Sequence, residues 1–162
     1  EIVEQNVVSG IAYSRDEAKI TLLRVDDQPG VAAAIFGPLA DAGINVDMIV
    51  QNIAADDQKT DITFTVSRAD MERTLSILDE IRDSMPYEAI MPDPNVVKVS
   101  VIGVGMRANA GIAKEMFQTL ADEGINILLI STSEIKISIL IEEKYTELAV
   151  RALHSAYGLD NA

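Results

Sequence analysis

A nucleophile, an acid–base pair or a metal cage would each need residue types that this sequence scarcely provides. It has no cysteine and one histidine, His154. Thiolate chemistry, disulfides and cysteine-ligated metals are therefore excluded, and a lone histidine on a helical stretch reads as a structural residue. No G-x-S-x-G, Walker A or Cys-x-x-Cys motif occurs, and no carboxylate–histidine cluster stands at metal-ligand spacing. Gly103-Val104-Gly105 follows an apolar run, but Ala108 stands where a dinucleotide fingerprint needs its third glycine. These glycines are read as sites of close packing. No catalytic residue and no metal site is assigned.

Binding chemistry is better represented, and it occurs at two similar turns. Asp26, Asp27 and Gln28 precede Pro29-Gly30, and Arg107, Ala108 and Asn109 precede Ala110-Gly111. Each turn opens a helix, whose free N–H groups and partial positive charge suit the carboxylate of a small ligand. Glycine there lets a ligand approach the backbone. Asn45 and Asn126 open the strand after each helix and are expected at the same end of the sheet, where their amides can bond an α-amino or carboxyl group. A plainer reading makes Asn109 a helix cap and Gly-Ile-Asn a helix stop with a turn. The presence of both features in both copies favours the ligand site.

The elements that carry these turns are written twice. Adding 81 to each number carries Gly30–Ile49 onto Gly111–Ile130 without a gap, with ten of twenty positions identical. A repeat of this length indicates two copies of one domain. Each copy begins with an apolar, β-branched run, Ile20 to Val25 or Val101 to Met106, which predicts a buried strand. In the helices that follow, Val31, Ile35 and Leu39, like Ile112, Met116 and Leu120, form an inward stripe with Phe36 and Phe117. Gly43 and Gly124 end them as left-handed caps.

The first copy predicts strand 20–25, helix 30–42, strand 44–53, a polar turn at 54–59, strand 60–67, helix 68–84 and strand 87–91. This βαββαβ order is the split ferredoxin-like unit. Gly37-Pro38 interrupts its first helix and predicts a bend or a distorted first turn. The second copy predicts strand 97–105, helix 110–123, strands 125–132 and 135–141, and helix 144–157. It lacks a sixth element, leaving an unpaired sheet edge, and the run Val7 to Tyr13 is free to fill it. The expected class is α+β, with two ferredoxin-like βαββαβ domains packed together and the first (17–93) inserted into the second (1–16 plus 94–162).

Length and charge bound the rest. The 162 residues, 48% apolar, suffice for two small cores. A formal charge of -13 and a pI near 4.3 argue against nucleic acid or an anionic membrane as partner. No signal peptide or membrane span is visible, so a cytoplasmic location is expected. A start at Glu1 suggests a piece of something longer.

The series D-x-P-G-x-A from Asp27, L-A-x-x-G-I-N-x-D-M-I-x-Q-N from Leu39 and T-D-I-T-F-T from Thr60 is specific. So is its continuation, G-M-R-x-N-x-G from Gly105, G-I-N-I from Gly124 and I-S-T-S-E-I-K-I-S from Ile130. Over essentially the whole chain it closely resembles the tandem ACT domains of bacterial aspartate kinase. The resemblance implies a regulatory region or separate regulatory subunit, with the kinase domain, its ATP and its Mg lying before Glu1. It also implies no cofactor in this chain, feedback inhibition by threonine, lysine or both where two ACT domains abut, a homodimer and contact with catalytic subunits. The implied first effector site is Asp27, Gln28, Pro29, Gly30, Val31, Ala32, Asn45, Val46 and Gln51. The second is Asn109, Ala110, Gly111, Ile112, Ala113, Asn126, Ile127 and Ser133. Backbone N–H groups would take the effector carboxylate, and Asn126, Gln51 or Asp27 the ammonium and side chain. Family members usually carry S-x-P-G in the second domain, where this chain has Ala108 and Ala110. An ACT sensor of another enzyme, or a ligand-free assembly domain, remains the alternative.

Overall fold

The computed structural model describes residues 7–53, 58–106 and 109–161. The chain runs through strands β1 (Val8–Ser14) and β2 (Ala18–Asp26), helix α1 (Val31–Asp41), strands β3 (Val46–Ile53) and β4 (Lys59–Val66), helix α2 (Met71–Glu80) and strand β5 (Ala89–Asp93). It continues with β6 (Val96–Gly103), α3 (Ala110–Asp122), β7 (Leu129–Thr132), β8 (Lys136–Glu142) and α4 (Thr146–Ala156). Short 3-10 turns lead into α2 and α4, and a third, Leu159–Asn161, follows α4. No helix among the described residues is long and apolar enough to cross a membrane.

These elements form two units. One is Asp16–Pro94; the other takes the chain up to Arg15 and from Asn95 onward. In the first, the antiparallel sheet has the order β3-β4-β2-β5. Ile20, Leu22, Ile62, Phe64 and Val66 alternate inward and meet Ile35 and Leu39 of α1 and Leu78 of α2. In the second, the order is β1-β6-β8-β7. Here β1 lies antiparallel to β6, with Ile11 opposite Val101 and Tyr13 opposite Val99. It occupies the place that β5 holds in the first sheet. Val97, Val99, Val101, Ile137, Ile139 and Ile141 form the second core with Met116, Leu120, Ala149 and Leu153.

Both first helices stop in the same way. Gly43 and Gly124 have φ of 75° and 73°, and their N–H groups donate to Ala40 and Ala121. The next N–H, of Ile44 or Ile125, reaches back to the Leu39 or Leu120 carbonyl at 2.9 Å. This is the Schellman arrangement. Helix α1 runs through Pro38 without a break in its assignment and keeps its opening bond, Ala34 N–H to Gly30 carbonyl at 3.0 Å. Of the two outcomes expected from Gly37-Pro38, the distorted first turn is not formed.

Some boundaries shift for physical reasons. Strand β7 starts at Leu129 rather than 125, because residues 126–128 carry the chain from the glycine stop to the sheet edge. Helix α2 ends at Glu80, after which bonds from Ser84 and Met85 to the Ile81 carbonyl form a turn ahead of Pro86. In β2 the register with β4 shifts between Leu22 and Val25, where Arg24 has φ of 57° and its N–H bonds Asp61 Oδ1 at 3.0 Å. A bulge of this kind re-aims the strand end, and it lies immediately before the Asp26–Gly30 turn.

Of the two glycines read as close-packing sites, Gly103 fulfils the reading, whereas Gly105 corrects it: nothing lies within 4 Å of a Cβ there, and glycine is called for by its φ of 62°. A Cβ at Gly103 would collide with the Val7 carbonyl and lie 2.9 Å from Met106 Sδ. Gly103→Ala is expected to destabilise the chain by about 2 kcal/mol through overpacking, measured as a lowered denaturant midpoint at unchanged slope.

Candidate functional site

Strand β2 delivers the chain to the Asp26–Gly30 turn, where Lys59 pairs with Asp26 across the strand end. The Asp27 N–H donates to the Gln58 carbonyl at 2.8 Å, which ties the turn to the start of β4. Gly30 adopts φ of 95°, with no heavy atom within 4 Å of where a Cβ would sit. Glycine is thus required by the backbone, and it leaves the approach open. Val31 N–H turns back to the Gln28 carbonyl at 3.3 Å, while among the described residues Ala32 and Ala33 N–H have no acceptor. Those N–H groups are the orphan donors of a helix start. Gln28, Pro29, Gly30 and Val31 line a cavity of about 240 Å³ together with Asp26, Ala34 and Met85.

Sheet register decides which polar side chains reach this turn. Gln51 lies opposite Ile62 near the end of β3, and its Nε2 is 3.4 Å from Asp27 Oδ1. Asn45 does not join them. Val46 and Ala18 are both opposite Val66, whereas Asp26 is opposite Lys59, so Asn45 and Val46 lie at the far end of the sheet from Gly30. The expectation that Asn45 shares the helix-start end is corrected. A helix that packs back along the sheet returns the chain to the opposite end, so strand starts and helix starts of one copy lie apart.

The second copy obeys the same rule. The segment after β6 is bonded to the β7–β8 turn by Gly103 N–H to the Ile135 carbonyl and Met106 N–H to the Glu134 carbonyl. Ser133 belongs to that turn, with its N–H on the Lys136 carbonyl at 2.8 Å. Ser133 therefore shares the end that carries Asn109, Ala110 and Gly111. Asn126 and Ile127 precede β7, whose Leu129 faces Leu140, and lie at the other end; the expected placement of Asn126 is corrected likewise. Asn109 is the N-terminal flanking residue of α3 but makes no side-chain cap bond, so the plain capping reading lacks its hydrogen bond. Arg107 and Ala108, and residues 54–57 of the polar turn, lie outside the described residues.

The structure adds contacts that sequence reasoning missed. Ser84, Met85 and Pro86 line the first cavity; they lie at the junction of the predicted helix 68–84 and strand 87–91, and nothing in the sequence indicated which turn they would face. Tyr157 Oη donates to the Ile112 carbonyl at 2.6 Å, linking the end of α4 to the first turn of α3. Burial, reinforced by the Glu115 carboxylate, pushes the Tyr157 phenol above its ordinary value. Ala113 follows Ile112 on the half-buried side of α3.

The comparisons agree with this architecture. ACT-domain models match residues 19–83 and 99–157. An aspartate kinase of Stutzerimonas stutzeri is 56% identical over 99% of this chain, which spans 39% of that protein's length. A crystal structure of aspartokinase alpha and beta subunits contains a chain 52% identical, with 93% of this chain and 99% of that chain covered at a TM-score of 0.87. The regulatory subunit of aspartate kinase from Thermus thermophilus, in its ligand-free form, is 38% identical, with 93% and 98% covered at a TM-score of 0.88.

The Tyr157 bond has a readable signature. Because the folded state favours the neutral phenol, its stabilisation is complete below the ordinary phenol value of about 10 and is lost as pH rises through the higher folded value. Tyr157→Phe is expected to cost about 1 kcal/mol at neutral pH and to remove a high-pH step from the ultraviolet tyrosine titration of the folded chain.

Two ACT-domain matches and near-complete overlap with solved regulatory chains lead to one conclusion: this chain belongs to the regulatory, tandem ACT-domain portion of the aspartate kinase family.

Proposed function

We propose that this chain is the amino-acid sensor of an aspartate kinase, binding threonine, lysine or both and passing their occupancy to a catalytic kinase domain. The observation that carries the reading is the convergence of Gln51, Asp27 and the open start of α1 at one end of the first sheet. A free amino acid needs donors for its carboxylate and acceptors for its ammonium. The Ala32 and Ala33 N–H groups supply the first, and Asp27 Oδ1 and the Gln51 carbonyl the second.

The assigned effector-binding residues remain those of the two sequence sets. Their division between opposite ends of each sheet favours completion by another copy of the chain. A helix start such as Asp27 to Ala32 in one ACT domain would then face a strand start such as Asn126-Ile127 across a homodimer. An effector held in such a seam makes the relative placement of two domains depend on its concentration. A coupling of about 1–3 kcal/mol is enough for allosteric control. ATP and Mg belong to the kinase domain in this reading, and the chain's own residues perform no bond-breaking step.

Calorimetric titration with threonine and then lysine, alone and together, tests the proposal. Saturable binding is expected, weakened roughly tenfold, about 1.4 kcal/mol, by Gln51→Ala or Asn126→Ala. Sedimentation at micromolar concentration should show a dimer. Neither heat nor thermal stabilisation with either amino acid, for a folded dimer, would turn the assignment toward a ligand-free assembly role.

A further inference from the structure

The second unit carries a cationic pocket that the effector reading does not use. It lies where the edge strand β1 meets α4, has a volume of about 270 Å³, and is lined by Tyr13, Arg15, Glu147, Val150, Arg151 and His154 along with Thr146. Glu147, Val150, Arg151 and His154 fall at helical positions i, i+3, i+4 and i+7, so one stripe of α4 faces the pocket. Arg15 approaches from the other wall, just beyond the end of β1, with its guanidinium carbon 5.4 Å from the Tyr13 ring centroid. A guanidinium and an imidazole of α4 thus line one pocket with the guanidinium of Arg15, in a chain with twice as many acids, 26, as Lys and Arg, 13.

The lining sets two guanidiniums against one carboxylate. Glu147 is that carboxylate, and neither Arg15 nor Arg151 makes an ion pair among the described residues. Arg151 also borders a groove containing Asp122 and Glu123 of α3. Neither carboxylate forms an ion pair with Arg151 among the described residues, and Asp122 accepts a bond from Gln118 Nε2 at 2.8 Å. Thr146 is occupied as well, its Oγ1 donating to the Glu143 carbonyl at 2.6 Å.

We propose that this pocket binds a small oxyanion, a phosphorylated or carboxylated metabolite, with Arg15 and Arg151 as the primary ligands. A guanidinium presents a fork of donors that matches two oxygens of phosphate or carboxylate at once. His154 adds a ring nitrogen, and the Tyr13 ring and Val150 offer apolar surface to the remainder of the ligand. The inference is independent of the effector site, because none of these residues belongs to it.

The test titrates the intact chain at low ionic strength with pyrophosphate and, separately, with succinate. The readouts are calorimetric heat and the imidazole resonances of His154, the sole histidine. Saturable binding by at least one probe, on the order of millimolar or tighter, is expected with shifted His154 signals. Pyrophosphate alone would identify a phosphorylated ligand and succinate alone a carboxylic acid. Arg151→Ala and Arg15→Ala should each weaken binding about tenfold, and Arg151→Lys should recover only part. Gln51→Ala should leave it unchanged while altering threonine binding. No saturation with either probe, or full retention of binding in the folded double variant Arg15→Ala/Arg151→Ala, would overturn the proposal.

Discussion

Each half of the molecule depends on one backbone constraint, the left-handed residue that ends its first helix. At Gly43 and Gly124 an added Cβ would meet nothing within 4 Å. It is the positive φ, not crowding, that calls for glycine. The Leu39 and Leu120 carbonyls accept the N–H of the residue directly after the glycine, and those residues, Ile44 and Ile125, are buried. The turn therefore fixes the phase between the helical stripe and the strand that follows. Both cores, and the register that brings Gln51 beside Asp27, rest on that phase.

Much of this was legible because two independent signals agreed. The repeat located equivalent positions, and the 3.6-residue spacing of Ile35-Leu39 and Met116-Leu120 gave each helix its inward face. The partly buried Phe36 packs edge-on against Phe64 at 5.1 Å between ring centroids, as its place in the stripe suggested. In β4, Ile62, Phe64 and Val66 alternate inward as their period of two requires.

What was not legible depends on three-dimensional direction. Asn45 follows its helix closely in sequence, yet proximity along the chain says nothing of which sheet end a returning helix reaches. The bulge at Arg24 was hidden because Leu22, Leu23 and Val25 read as one apolar run. There the Arg24 N–H bonds the side chain of Asp61, far away in sequence, and no local pattern announces that partner. Tyr157 gave no warning of its bond to Ile112, since a carbonyl acceptor carries no side-chain signature. The placement of Ser133 beside the start of α3 likewise follows from loop-to-loop bonds, not from any local pattern.

Strand β1 also imposes an order on biosynthesis. Val8 and Ile11 leave the ribosome well before their partners Gly103 and Val101 exist. At ordinary elongation rates the wait is on the order of ten seconds. All the strands and helices between Asp16 and Pro94 emerge in that interval, and every strand pairing of their sheet lies within that stretch. The nascent chain thus holds an unpaired apolar strand beside a unit able to complete its own sheet. A pause in translation before β6 would lengthen that exposure, making this interval the stage at which the chain is most open to chaperone capture or to pairing with the wrong edge.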